Sequence, residues 1–222
     1  MRPPAVAVMA KVPGLAPVKS RLHPALPPDR ATGLYRCFLL DRLDALAALD
    51  GVEGVVAFTP PDAAAAMAAL APPGLRCVPQ RGRDLGERLA GLLAGLLDEG
   101  RRAALAIDSD SPTLPMEYVL EATRVLDAGE ADVAIGPCDD GGYYLIGLRA
   151  ARPELFTDVP WSTPRVLPVT LARASRLGLK IRLLPSWFDV DTEQDLRRLH
   201  DEMLAGGRRP ARTFAFVRDL YR

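Results

Sequence analysis

Ala103-Ala104-Leu105-Ala106-Ile107-Asp108-Ser109-Asp110-Ser111-Pro112 joins a wholly apolar run to two carboxylates two residues apart. A short run with no polar alternation is the pattern of a strand buried on both faces of a parallel sheet. Acids at the carboxyl end of such a strand point into the crevice where open α/β sheets bind ligands. Mg²⁺ and Mn²⁺ take oxygen ligands and commonly join one or two protein carboxylates to substrate phosphates, so a cation is one reading of this pair. An Asx turn with a helix cap before Pro112 is the other, and on these residues alone both stand.

Outward from this stretch, strand and helix patterns alternate. Ala5 to Met9 reads as a first buried strand, followed by the loop Lys11-Val12-Pro13-Gly14-Leu15-Ala16-Pro17-Val18-Lys19-Ser20-Arg21-Leu22. The loop has neither the Rossmann glycine pattern nor a P-loop ending. It does hold two of the chain's three lysines, Lys11 and Lys19, together with Arg21. Cations just past a strand end suit a polyphosphate, Lys as a point charge and Arg as a fork. Apolar spacing predicts a helix over Asp29–Leu49, a strand over Val52–Phe58, a helix over Ala63–Leu70 and a strand over Leu75–Val78. Gln80-Arg81-Gly82-Arg83-Asp84-Leu85-Gly86-Glu87-Arg88 then opens a helix to about Leu97, with Asp84 and Glu87 spaced as a capping box. A helix start punctuated by glycine also offers free N–H groups to an anion or a base edge.

Beyond the acid pair, a helix is expected over Pro115–Leu126 and a strand over Ala131–Ile135. Gly136-Pro137-Cys138-Asp139-Asp140-Gly141-Gly142 follows, then a strand from Tyr143 to Leu148. Its glycines allow close approach of a ligand, and Asp-Gly is equally a hairpin signal. Alternation along that strand turns only one of Tyr143 and Tyr144 toward the crevice. A helix from Trp161-Ser162-Thr163-Pro164 to Leu177 and a strand over Leu179–Leu184 lead to Asp189-Val190-Asp191-Thr192, a second acid pair, where Asp191 or Thr192 caps a last helix. Residues 1–204 are read as one domain and residues 205–222 as an extension whose Phe214, Phe216 and Tyr221 pack back on it or on a partner, which leaves a homodimer open.

Composition narrows the function. The chain has 222 residues, 49% of them hydrophobic, and 28 basic against 28 acidic side chains. That is enough for one large core, with no nucleic-acid footprint. Cys37, Cys77 and Cys138 are widely spaced without a Cys-x-x-Cys pair, which speaks against a disulfide framework or a zinc site and for a reducing cytoplasm. No stretch approaches the roughly 18 apolar residues of a membrane span, and the amino-terminal apolar run is too short for a signal peptide.

In order, the Lys11–Leu22 loop, Gly82 to Arg88, Asp108 to Pro112, Asp139 to Leu148, Trp161 to Pro164 and Asp189 to Thr192 resemble GT-A-fold proteins grouped as a domain of unknown function and labelled glycosyltransferases. The resemblance covers nearly all of residues 5–200, and the chain is more distantly similar to the molybdenum-cofactor and 2-phospholactate guanylyltransferases. It implies a single three-layer α/β/α domain with a mostly parallel sheet, of the nucleotide-diphospho-sugar transferase type. It also implies Asp110 and Asp191 as ligands of Mg²⁺ or Mn²⁺, with Lys19 and Arg21 on the phosphates and acting with Asp110 in catalysis. Lys11, Gln80, Gly82, Leu85, Gly86 and Asp108 then belong to the nucleotide, and Asp140, Gly141, Gly142 and Tyr143 border a small-molecule acceptor. The expected activity is transfer of a nucleoside monophosphate to a phosphorylated acceptor with release of pyrophosphate. A glycosyltransferase using a nucleotide-sugar and a nucleotide-binding module without turnover are the alternatives.

Overall fold

In the computed structural model, which describes residues 2–222, the apolar run at the centre of the chain is a strand with all four residues buried. In chain order the elements are β1 (Ala5–Lys11), α1 (Pro28–Ala47), β2 (Glu53–Thr59), α2 (Ala64–Ala68), β3 (Arg76–Pro79), α3 (Leu85–Asp98), β4 (Ala104–Ile107), α4 (Met116–Asp127), β5 (Val133–Pro137), β6 (Tyr143–Leu148), α5 (Val166–Arg176), β7 (Ile181–Leu183), α6 (Glu193–Leu204) and α7 (Ala211–Leu220). The seven strands form one sheet in the order β3-β2-β1-β4-β6-β5-β7. Every pairing is parallel except those of β6, which runs antiparallel to both β4 and β5. The chain is therefore a single α/β domain with a mostly parallel sheet.

Strand residues alternate between two cores because successive side chains point to opposite faces. Val6, Val8, Val56 and Phe58 pack with Leu39 and Leu43 of α1 and with Val119 and Val125 of α4. Ala5, Ala7, Val55 and Ala104 pack on the other face with Leu89, Leu93 and Leu96 of α3 and Ala174 of α5. Each fully buried Leu on these stripes contributes about 1.5–3 kcal/mol. A third core joins Leu34 and Phe38 of α1 to Leu196, Leu199 and Met203 of α6 and Val217 of α7, so the carboxyl-terminal residues do pack back on the domain.

Two local expectations shift. The helix expected from Trp161 starts at Val166, because Ser162 takes a positive φ of 62° and Trp161–Pro164 forms a turn instead. Asp84 caps α3 by accepting from the Glu87 N–H at 2.8 Å, but the Glu87 carboxylate accepts from the Arg83 N–H at 2.9 Å, one residue before the capping-box partner. At the last helix Thr192 is the cap, and its box with Asp195 is complete. Among the described residues no helix is long and apolar enough to cross a membrane, and all three cysteines are free.

Candidate active site

Chain order along the sheet reverses between β1 and β4, and the loops leaving these two strands part there, which opens a crevice past their carboxyl ends. The crevice is a cleft of about 600 Å³, within the range of small-ligand sites. Antiparallel β6 begins at this same edge, so Tyr143 and Tyr144 both border the cleft, although their rings join opposite cores.

The loop after β1 returns over the cleft and turns at Lys19, whose φ of 50° and ψ of 35° are unusual for a residue with a side chain. What holds it there is electrostatic. Lys19 Nζ lies 2.5 Å from Asp110 Oδ1 and 3.0 Å from Asp191 Oδ1, and Arg21 Nη1 lies 3.3 Å from Asp191 Oδ2. Burial opposes the charge on Lys19, but Asp110 and Asp191 outweigh it and hold its proton more firmly than water would. A backbone bond ties the two acid loops together, the Val190 N–H donating to the Asp110 carbonyl at 3.0 Å. The Thr192–Asp195 cap fixes the second loop, since Asp195 also accepts from the Asp191 N–H at 3.2 Å.

Asp108 faces inward. Ser111 Oγ donates to its Oδ2 at 2.5 Å, while Oδ1 is buried without a partner. Burial pushes its carboxyl up to about 6, the Arg42 guanidinium offsetting part of this and Asp110 adding to it. Arg42 is itself buried and donates to the Ser111 carbonyl, bracing the acid loop from behind. Ser109 meets Tyr35 across 3.0 Å, and Tyr35 Oη accepts from the Lys11 N–H at 2.9 Å, so one phenol links both loops. Gln80 Nε2 donates to the carbonyls of Ala10 and Ala57 at 3.2 and 2.7 Å, which pins β3 beside β1 and β2 at the cleft wall.

Of the residues singled out in the sequence, Lys11, Lys19, Arg21, Gln80, Leu85, Asp108, Asp110, Tyr143 and Asp191 line one cleft. Gly82, Gly86, Asp140, Gly141 and Gly142 do not line it. A Cβ on Gly86 would stand 2.5 Å from the Phe156 carbonyl oxygen and 2.9 Å from Trp161 Nε1, so this glycine lets α3 start against the Trp161 turn. Gly82 has φ 137° and leaves no room for a Cβ against Glu87. Gly141, with φ 89°, presses on the backbone of Pro164, while Asp140 accepts from the Gly142 N–H at 2.8 Å and closes the β5–β6 turn.

Residues 42–163 match the sequence profile of the family described as uncharacterized proteins conserved in bacteria, DUF2064. The chain belongs to this family. It is 34% identical to a crystal structure of a candidate nucleotide-diphospho-sugar transferase from Desulfovibrio desulfuricans G20, covering 99% of this chain and 95% of that one with a TM-score of 0.90. Two further folds are similar at low identity. One is CMP:2-keto-3-deoxy-manno-octonic acid synthetase complexed with CTP, 14% identical over 92% of this chain and 99% of that one, TM-score 0.59. The other is a cytidylyltransferase from Leptospira borgpetersenii, 15% identical over 100% of this chain and 93% of that one, TM-score 0.58. No curated protein matches the chain.

In this DUF2064 member the cleft also takes residues that the sequence did not announce. Arg88 lines it from the first turn of α3 and donates to the Gly82 carbonyl at 3.2 Å. Its signal was its place one turn after the Asp84 cap. Tyr35 lines the cleft from the buried stripe of α1, where spacing reads only as core, and Arg42 on the same stripe braces the acid loop from behind without lining the cleft. Ser162 reaches the cleft through a positive φ that no sequence pattern marks.

Proposed function

We propose that the protein is a nucleotidyltransferase that joins a nucleoside monophosphate to a small phosphorylated acceptor and releases pyrophosphate. The observation that carries this reading is the convergence of Asp110 and Asp191 on the buried Lys19 ammonium, with Arg21 beside it, inside a cleft also lined by Lys11 and Arg88. Paired acids with surplus cations suit a metal-bound polyphosphate.

The site fits a divalent metal, because Asp110 and Asp191 already hold one cation between them and offer only oxygen donors, as Mg²⁺ or Mn²⁺ require. Bound to these two carboxylates, the metal would neutralise phosphate charge. Lys19 and Arg21 then bind phosphate oxygens and oppose the charge that grows on the leaving group. Lys11 and Arg88 add positive field along the cleft, and Gln80 holds its base-side wall. No His or Cys lines the cleft among the described residues, as suits in-line attack by an acceptor oxygen with no protein nucleophile. Positioning and electrostatics carry the rate.

Transfer of a sugar from a nucleotide-sugar is the second reading, favoured by the description of the 34% identical Desulfovibrio protein. Phosphorus NMR on the protein with Mg²⁺, each NTP or nucleotide-sugar and a pool of phosphorylated acceptors separates the two. Pyrophosphate is the expected product. A free nucleoside diphosphate formed from a nucleotide-sugar, with none of the NTPs consumed, would replace the first reading by the second.

A further inference from the structure

Outside the cleft, the β5–β6 turn meets the segment that leads into α6. The Asp139 N–H donates to the Trp187 carbonyl at 3.1 Å, and the Trp187 N–H donates to the Pro137 carbonyl at 3.0 Å. These bonds bring Cys138 and Asp140 against Asp189. The Cys138 Sγ and one carboxylate oxygen each from Asp140 and Asp189 lie within 4.8 Å of one another.

Two independent features set this group apart from an ordinary acidic rim. The first is the thiol. Cys138 is only 8% exposed, and its sulfur points into the acid pair without a hydrogen-bond partner among the described residues. The second is charge. Asp110 and Asp191 have Lys19 and Arg21, and Asp139 has Arg198 at 2.7 Å, but Asp140 and Asp189 form no ion pair among the described residues. Unpaired acids around a buried thiol are compensated by a cation.

We infer that Cys138, Asp140 and Asp189 form a binding site for a thiophilic divalent cation of the zinc class, separate from the Asp110–Asp191 pair. Sulfur selects against Mg²⁺, a hard ion that keeps its oxygen shell, and for Zn²⁺ and ions of similar softness. Three protein ligands leave a fourth position for water. Binding displaces the thiol proton, which leaves to solvent as the metal enters. The inference stands apart from nucleotide transfer, since none of the three ligands lines the cleft.

Co²⁺ is the probe, because a thiolate ligand gives it a charge-transfer band in the near ultraviolet. The wild-type protein should develop that band, saturate at a single equivalent, and lose it on addition of Zn²⁺. Cys138→Ser should abolish the band, while Cys37→Ser and Cys77→Ser keep it. Asp189→Asn, which leaves every cysteine in place, should weaken Co²⁺ binding by about tenfold or more, at least the effect of losing an outer partner of a metal ligand. A wild type that gives no band with excess Co²⁺, a band that survives Cys138→Ser, or unchanged affinity in Asp189→Asn would each overturn the assignment.

Discussion

Lys19→Met keeps the buried stem of the side chain and removes the ammonium between Asp110 and Asp191. Stripping one partner from a fully buried pair costs about 3–5 kcal/mol, because a bare charge is left behind. Here the lysine side chain is 2% exposed, but the carboxylates are 39% and 35% exposed, so water screens them and the expected cost falls to about 2 kcal/mol. In a domain of this size that lowers the Tm by about 4–8 °C. A lysine held charged beyond its ordinary range contributes its stability below the unfolded value and loses it only as pH rises through the higher folded value, so the deficit is complete at neutral pH. The assay is calorimetric melting at neutral pH with and without Mg²⁺. In the variant, Mg²⁺ meets two carboxylates with no competing ammonium. At a hundredfold excess over Kd it stabilises by about 2.7 kcal/mol, so the Mg²⁺-dependent rise in Tm should be larger than in the wild type. A variant that melts with the wild type, or a larger Mg²⁺ effect in the wild type, would refute the view of Lys19 as the counter-ion that a metal replaces.

Three further outcomes are expected. Asp41, on α1, accepts from the Thr213 and Arg212 N–H groups at 2.8 and 3.2 Å and so caps α7 from a distant helix. Asp41→Ala should cost about 1–2 kcal/mol and speed tryptic cleavage between Arg208 and Arg212, leaving residues 1–204 resistant, and unchanged cleavage would show that α7 docks through its apolar face alone. Arg76 first, and Arg101 with it, hold the Glu99 carboxyl down to about 2. A depressed carboxylate contributes stability above its unfolded value and loses it as pH falls toward the folded one, so the gap between wild type and Glu99→Gln should close from about pH 4.5 down to about 2. Gly141→Ala puts a Cβ at 2.5 Å from the Pro164 carbonyl oxygen on a φ of 89°, and should cost about 1–3 kcal/mol in urea unfolding, whereas a neutral result would mean that the Trp161–Pro164 turn yields easily.

What the sequence disclosed follows from how each feature is encoded. Buried strands announce themselves because both faces need apolar residues, so β1, β2 and β4 and the acids after β4 were legible from residues 103–112 outward. The reversed direction of β6 was only half legible. Asp140-Gly141 signals a hairpin, but nothing local tells whether the returning strand inserts beside β4, as Ile107 opposite Leu145 shows that it does. The contact that joins the cleft's basic loop to its second acid loop, Lys19 on Asp191, spans 172 residues and exists only once the sheet has brought two loops to one edge. Glycines were legible as exceptional but not by purpose, since Gly86 and Gly141 give space to neighbouring backbone rather than to the cleft. Gln80 was legible as a polar residue at a strand end, while the direction of its amide depends on the carbonyls of Ala10 and Ala57.

The two anionic groups at this sheet edge differ in one respect that bears on order of binding. Asp110 and Asp191 are neutralised internally by Lys19 and Arg21. Under the proposed function, a metal alone must therefore displace an ammonium that is buried and well paired, which weakens its binding to the free protein. A polyphosphate entering the cleft competes for the same two cations. As it draws Lys19 and Arg21 toward its oxygens, it leaves two carboxylates unpaired, and their affinity for a divalent cation rises. By linkage the metal then strengthens nucleotide binding by the same factor. Under the proposed function, titrating nucleotide at several Mg²⁺ concentrations should give a Kd that falls as Mg²⁺ rises. In Lys19→Met that dependence should shrink, because the carboxylates are already free to take the metal before the nucleotide arrives. A Kd independent of Mg²⁺ in the wild type would mean that Lys19 and the metal do not share one position.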